Sequence, residues 1–266
     1  MKRALLFLSI ISTSLILAAC GESSDPFVVG MECNYAPYNW TTSETSGEPI
    51  DGVDAYCDGY DVEMARLIAE GLGRELVVRK IDWDGLIPAL TSGTIDAIIA
   101  GMSPTAERAE VVSFSDPYFR SEQVLVVASD STLVSATRLD DFSGQDVIAQ
   151  LGTLQHDLIL QIPEVNRLDP LNDYPSLVAQ VASGIADALI AELPVATSIV
   201  ASNPDLSIVN LGANGFELNE SDVTTSVAVR LDETDLRDEI NTILAGLSDA
   251  DRNQLMTEAL ENQPSS

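Results

Sequence analysis

Lysine is nearly missing from this chain of 266 residues: only Lys2 and Lys80 occur, against 42 acidic residues and a formal net charge of −29. Phosphate backbones are gripped by clustered Lys and Arg, so nucleic acid is excluded as a partner. The acidity is spread along the sequence rather than gathered in a tail, and speaks first to solubility. Histidine is reduced to His156, and no Cys/His spacing suited to a metal is present, so neither metal nor cofactor is expected. Asp51, Asp54, Asp58 and Asp61 lack the order of a calcium loop and are expected to form a solvated insertion.

Long apolar runs are also scarce. One exists, Ala4–Ala19, behind the positive start Lys2-Arg3. Spanning a bilayer takes about 20 apolar residues, so this run reads as a signal peptide over 1–19. It ends in Leu17-Ala18-Ala19-Cys20, which resembles the bacterial lipobox and implies a lipid on Cys20, with 20–26 as a tether. The alternative is an ordinary signal peptide beside a buried cysteine. No second long apolar run follows. The remainder exceeds a modal domain of about 100–150 residues, so two lobes are expected.

Cysteine is limited to three positions. With Cys20 assigned to lipid, Cys33 and Cys57 remain as an even pair in an exported chain, and a disulfide is expected over two free thiols.

What the sequence has is alternation. Phe27–Met31, Leu76–Lys80 and Ile95–Met102 read as strands, with helices over Tyr60–Gly73 and Trp83–Thr91 between them. A second set follows: strands Asp146–Leu151, Ala186–Glu192 and Leu206–Asn210, and helices Gln155–Ile162, Tyr174–Ser183 and Leu193–Ser202. This rhythm predicts an α/β fold of mostly parallel sheets flanked by helices. Residues 86–100 align without gaps to 177–191, sharing Ser-Gly, Asp-Ala and Ile-Ala. One helix–glycine–strand unit is used once in each half, which predicts two similar lobes. Asp96 and Asp187, repeated at the start of each strand, are expected to be structural.

Ligands of open α/β sheets bind beyond the carboxyl ends of strands. The two copies diverge there, into Gly101-Met-Ser-Pro-Thr-Ala-Glu-Arg108 and Glu192-Leu-Pro194. Arg108 and Glu192 are thus expected at equivalent edges of opposite lobes with opposite charge, an arrangement suited to a zwitterion. Ser103 and Thr105 are good helix caps and Pro104 suits a first turn, so a helix should start here and favour an anion. The Arg108 guanidinium can add two parallel bonds to a carboxylate. The bland reading is a surface arginine paired with Glu107 or Glu110.

The block Trp83–Arg108, followed by Phe114-Ser-Asp-Pro-Tyr118, resembles the polar amino-acid-binding receptors of ABC importers, the bacterial extracellular solute-binding proteins of family 3. Tyr35-Ala-Pro-Tyr38, Gly59-Tyr-Asp-Val62 and Ser226-Val-Ala-Val-Arg230 extend the likeness over nearly the whole mature chain. The resemblance implies a two-lobed, type II periplasmic-binding-protein-like fold. Lobe 1 would comprise 27–123 and the return segment 223–266, and lobe 2 would comprise 124–222. Hinge strands would lie near Gln123–Ala128 and Glu217–Thr224.

The resemblance also implies roles. Arg108 would clamp an α-carboxylate with Ser103 and the backbone at Ala100 and Gly101. Thr153, with Leu154 and Gln155 after it, would donate from lobe 2, and Glu192 would take the α-ammonium. Tyr35, Tyr38 and Trp83 would cover the ligand, and Glu32 would meet its side chain, leaning toward arginine, lysine, histidine or glutamine. Each aromatic could instead be core, Glu32 one more solvated acid, and His156 a surface residue. The implied protein is a monomeric, non-enzymatic receptor outside the cytoplasm, anchored to the membrane by lipid, which passes a free amino acid to importer subunits. Some dehydratases share the fold, but no acid–base partner beyond Glu32 and Glu192 stands near Arg108. A sensor domain would need a membrane helix after it, and none precedes Ser266. Cys33 and the insertion 41–56 depart from the commoner pattern.

Overall fold

The computed structural model describes residues 25–264. The expected signal peptide over 1–19 and the expected lipid-bearing Cys20 lie outside the described residues.

Two five-stranded sheets are built alike. The first runs in the order Leu76–Lys80, Phe27–Met31, Ala97–Ile98, Thr224–Arg230, Val112–Arg120. The second runs Asn166–Arg167, Asp146–Ile148, Ala188–Glu192, Gln123–Ala128, Leu206–Val209. In each, three parallel strands are followed by an antiparallel fourth. Ala188–Glu192 is buried at every position, as expected of a strand covered on both faces. This is the expected α/β fold with helices on its faces, although each sheet is mixed, with two parallel and two antiparallel pairings.

The internal repeat is visible in side-chain detail. Leu86 and Leu177, equivalent in the two copies, are both fully buried, and each contributes about 2 kcal/mol. Gly93 and Gly184 both end their helices with positive φ, 76° and 72°. Asp96 accepts the Val28 amide at 3.0 Å, and Asp187 accepts the Asp146 amide at 2.8 Å. Each carboxylate thereby ties its own strand to the start of the parallel neighbour.

Several expectations are corrected. The first copy's strand is only Ala97–Ile98, because Gly101 turns at φ 61° and its amide donates to the Tyr118 hydroxyl, 3.0 Å away, instead of to a ladder. The expected helix Gln155–Ile162 is a short helix, Leu154–Leu158, continued by a tighter turn over Ile159–Gln161. Gln123–Ala128, near which a hinge strand is expected, lies between two partners inside the second sheet. The chain passes between sheets at Ser121 and Glu122, beside the returning segment, where the Ser121 amide donates to Val223 at 2.8 Å. The last helix, Asp249–Asn262, does not belong to one side. It packs on Tyr60–Leu72, which flanks the first sheet, and on Leu193–Ser202, which flanks the second.

The insertion is ordered. Asn34–Tyr35, Asn39–Thr42, Tyr56–Asp58 and Glu48–Pro49 form a small four-stranded sheet, fastened by a disulfide between the buried Cys33 and Cys57. Asp61 is not solvated. It is fully buried and accepts from Asn39 and the Tyr118 hydroxyl, both at 2.7 Å. Burial raises its pKa to about 7 against those bonds. Through Tyr118 this carboxylate supports the Gly101 turn.

Candidate functional site

Strand ends from both sheets meet around one cavity. Its lining comprises Glu32, Tyr35, Trp83, Gly101, Ser103, Arg108, Gln150, Thr153, Leu154, Gln155 and Glu192. Ten of the twelve ligand residues read from the sequence are in that lining. The other two stand behind it: Tyr38 is fully buried and stacked on Tyr35 at 5.3 Å, and Ala100 sits in the core with Leu86 and Leu90.

Arg108 lies in the short helix Ala106–Ala109, capped by Thr105. Its Nη1 donates to the Ser103 carbonyl at 2.9 Å and its Nη2 to the Gly152 carbonyl at 3.3 Å. The guanidinium lies 5.0 Å from the centre of the Trp83 ring. Among the described residues no carboxylate pairs with it at salt-bridge distance, Glu107 and Glu110 included. Burial pushes its pKa down to about 10, with the nearby acids opposing that. This is a desolvated cation short of a counter-ion.

The same lining holds two buried acids. Glu192 ends strand Ala188–Glu192 and is 2% exposed, and its Oε2 has no hydrogen-bond partner. Burial raises its pKa to about 7, while the hydroxyls of Tyr38 and Tyr35 lower it. The Tyr38 hydroxyl is close enough to act on Glu192 electrostatically but falls outside hydrogen-bonding geometry. Glu32 follows strand Phe27–Met31 and accepts from the Gln150 amide at 2.7 Å. Burial raises it to about 8, the Gln150 bond opposes this, and Asp82, Asp173 and Asp61 add to it.

Two expected donors are engaged within the protein. The Gly101 amide is bound to Tyr118, and the Thr153 hydroxyl donates to the Gln150 carbonyl at 2.8 Å. The first amides of the helix Leu154–Leu158 have no carbonyl one turn back, so the backbone there is the donor set. Gln155 donates to Gln123 at 3.1 Å, beside the crossing. Gly101 also admits Tyr35, since a Cβ there would meet its Cε1 at 2.8 Å.

Sequence reasoning missed Gln150 and Tyr174. Gln150 lies just past strand Asp146–Ile148, where the strand-end rule would have found it. Tyr174 packs on Tyr35 at 4.7 Å, and its hydroxyl, like that of Tyr38, is buried without a partner. A lone tyrosine at a helix start carried no signal. His156 is not in the lining and accepts from Arg167 at 2.9 Å. No group of three or more potential metal ligands occurs among the described residues.

The chain is 31% identical to the arginine-binding extracellular protein ArtP of Bacillus subtilis (strain 168), covering 94% of each. It is 29% identical to a probable histidine-binding protein of Campylobacter jejuni, covering 77% of this chain and 80% of that protein. Among solved structures, an amino acid ABC transporter substrate-binding protein of Streptococcus pneumoniae bound to L-arginine superposes with a TM-score of 0.76 at 28% identity, covering 89% of this chain and 94% of that one. The family described as bacterial extracellular solute-binding proteins, family 3, matches residues 27–258, and the chain belongs to it.

Proposed function

We propose that the protein is a receptor for a free amino acid with a cationic side chain, arginine first, which it hands to an ABC-type importer. The observation that carries this is the set of charges in one cavity lining: an arginine with no salt-bridged carboxylate among the described residues, together with the buried acids Glu192 and Glu32. A zwitterion with one extra positive charge offers one anion and two cations, the complement of that set. Arg108 takes the α-carboxylate, with Ser103 and the turn at Gly101 shaping its seat and backbone amides at Thr153 and Leu154 adding donors. Glu192 takes the α-ammonium. Glu32, with Gln150, receives the side chain, whose stem lies between Tyr35 and Trp83. Tyr38 acts from behind Tyr35. The relatives that bind arginine and histidine support the same class.

The two sheets then act as the cores of two lobes that close about the crossing at Ser121–Glu122 and the return near Val223. A ligand favours the closed state by contacting both. In a thermal-shift screen of residues 21–266 against the twenty amino acids, arginine at a hundred times its dissociation constant should add about 2.7 kcal/mol. For a chain of this size that is a rise of about 5–10 °C. A rise with acidic or apolar amino acids alone would overturn the assignment.

The receptor works as a monomer held outside the cytoplasmic membrane by lipid on Cys20. Cys20→Ala should shift it from the membrane fraction to the soluble fraction; unchanged partitioning would remove the anchor from this reading.

A further inference from the structure

Among the residues lining the cavity, Trp83 has its polar group bonded to backbone of the other half. Trp83 opens the helix Trp83–Thr91, on the first-sheet side. Its indole N–H donates to the Gly152 carbonyl at 3.0 Å. Gly152 is in the turn between strand Asp146–Ile148 and helix Leu154–Leu158, on the second-sheet side. The bond therefore joins the two halves at the cavity rim.

Arg108 reinforces it. The guanidinium stacks over the Trp83 ring and directs Nη2 to the same Gly152 carbonyl. One backbone oxygen thus receives two donors from the opposite half. The other polar contact across the cavity, Gln150 to Glu32, is of a different kind. It uses the carboxylate that a cationic side chain would claim, so ligand and contact compete. Trp83 to Gly152 competes with nothing inside the cavity.

We infer that Trp83 is a latch: its indole N–H, bonded to the Gly152 carbonyl, holds the halves together over the bound amino acid and sets how long it stays. Trp83 is thereby a positioning residue for the closed state in addition to covering the ligand with its ring. The inference rests on the amino-acid receptor reading. A bond made only after closure acts on release rather than capture, so its loss should appear in the dissociation rate. A single neutral hydrogen bond at a partly exposed rim corresponds to about a three- to ten-fold change.

The test replaces the N–H while keeping the ring. Incorporation of 3-benzothienylalanine at position 83 preserves a bicyclic aromatic of the same shape without the donor, and Trp83→Phe removes the donor with part of the ring. Radiolabelled arginine is bound, then chased with excess unlabelled arginine, and association is followed separately. Dissociation about three- to ten-fold faster in both variants, with association within about twofold of wild type and an unchanged melting temperature of the ligand-free protein, supports the latch. Wild-type dissociation from the benzothienyl variant overturns it while leaving the receptor reading intact. Failure of the unmodified protein to bind arginine overturns the arginine assignment and the latch with it. An effect confined to association also overturns the latch, since that is what a ring acting only as ligand cover would give.

Discussion

Arg108→Ala should lower arginine affinity by about a hundredfold to several thousandfold in calorimetry, while the ligand-free protein keeps its melting temperature within a few degrees. The guanidinium is held by the Ser103 and Gly152 carbonyls and the Trp83 face, with no carboxylate among the described residues to neutralise it. Burial lowers its pKa to about 10, so the fold bears part of the cost of removing this charge from water. A ligand carboxylate therefore meets a desolvated, oriented donor. Deleting one member of such a pair costs about 3–5 kcal/mol, because the other charge is left buried and unpaired. At about 1.4 kcal/mol per decade, that is two to nearly four decades in the dissociation constant. Arg108→Lys separates charge from geometry: the ammonium keeps the sign but lacks the planar fork, so an intermediate loss is expected. Affinity for arginine in the alanine variant within about threefold of wild type would remove Arg108 from the site.

The fold is legible in the sequence because its signals are local and used twice. The aligned segments 86–100 and 177–191 carry the helix, the glycine stop and the buried strand, and Asp96 and Asp187 make the same bond in each copy. Strand ends diverging into Arg108 and Glu192 then locate the cavity. What cannot be read depends on groups brought together from afar. Asp61 sits among acids that are solvated, and nothing in its neighbours shows that Asn39 and Tyr118 will enclose it. The Gly101 amide and Thr153 hydroxyl look like ligand donors because residue type does not reveal that Tyr118 and Gln150 engage them first. Tyr38 lies one layer too deep for a similar reason: its motif places it near the ligand, but the stacked Tyr35 ring stands in front. Sequence order assigns the last helix to one lobe, whereas it packs on Tyr60–Leu72 and on Leu193–Ser202 alike.

Glu192→Gln should weaken arginine binding by about a hundredfold at pH 8 and flatten its dependence on pH. In the ligand-free protein, burial raises Glu192 to about 7 and Glu32 to about 8. Below those values each is protonated and cannot neutralise a cation, so binding at pH 6 must expel up to two protons. Affinity of the wild type accordingly rises with pH from 6 to 8, by up to about tenfold per unit for each proton released, and levels off above 8. Stability has the opposite sign. Both acids are raised in the folded state from an ordinary value of 4.5. Their contribution is fully present below that value and is lost as pH climbs through 7 and 8. The ligand-free melting temperature should therefore fall between pH 5 and 8, while the increment added by arginine grows. The amide of the Glu192→Gln variant carries no charge to desolvate, so the ligand-free variant should be more stable than wild type at pH 8 and bind less tightly there. That crossing of effects distinguishes an ammonium site from a packing defect, which would lower both. Calorimetry at pH 6, 7 and 8, in buffers of different ionisation enthalpy, counts the protons directly. A wild-type affinity that is flat over this range with no proton release would refute the role of both acids. A glutamine variant that loses stability along with affinity would return Glu192 to the core.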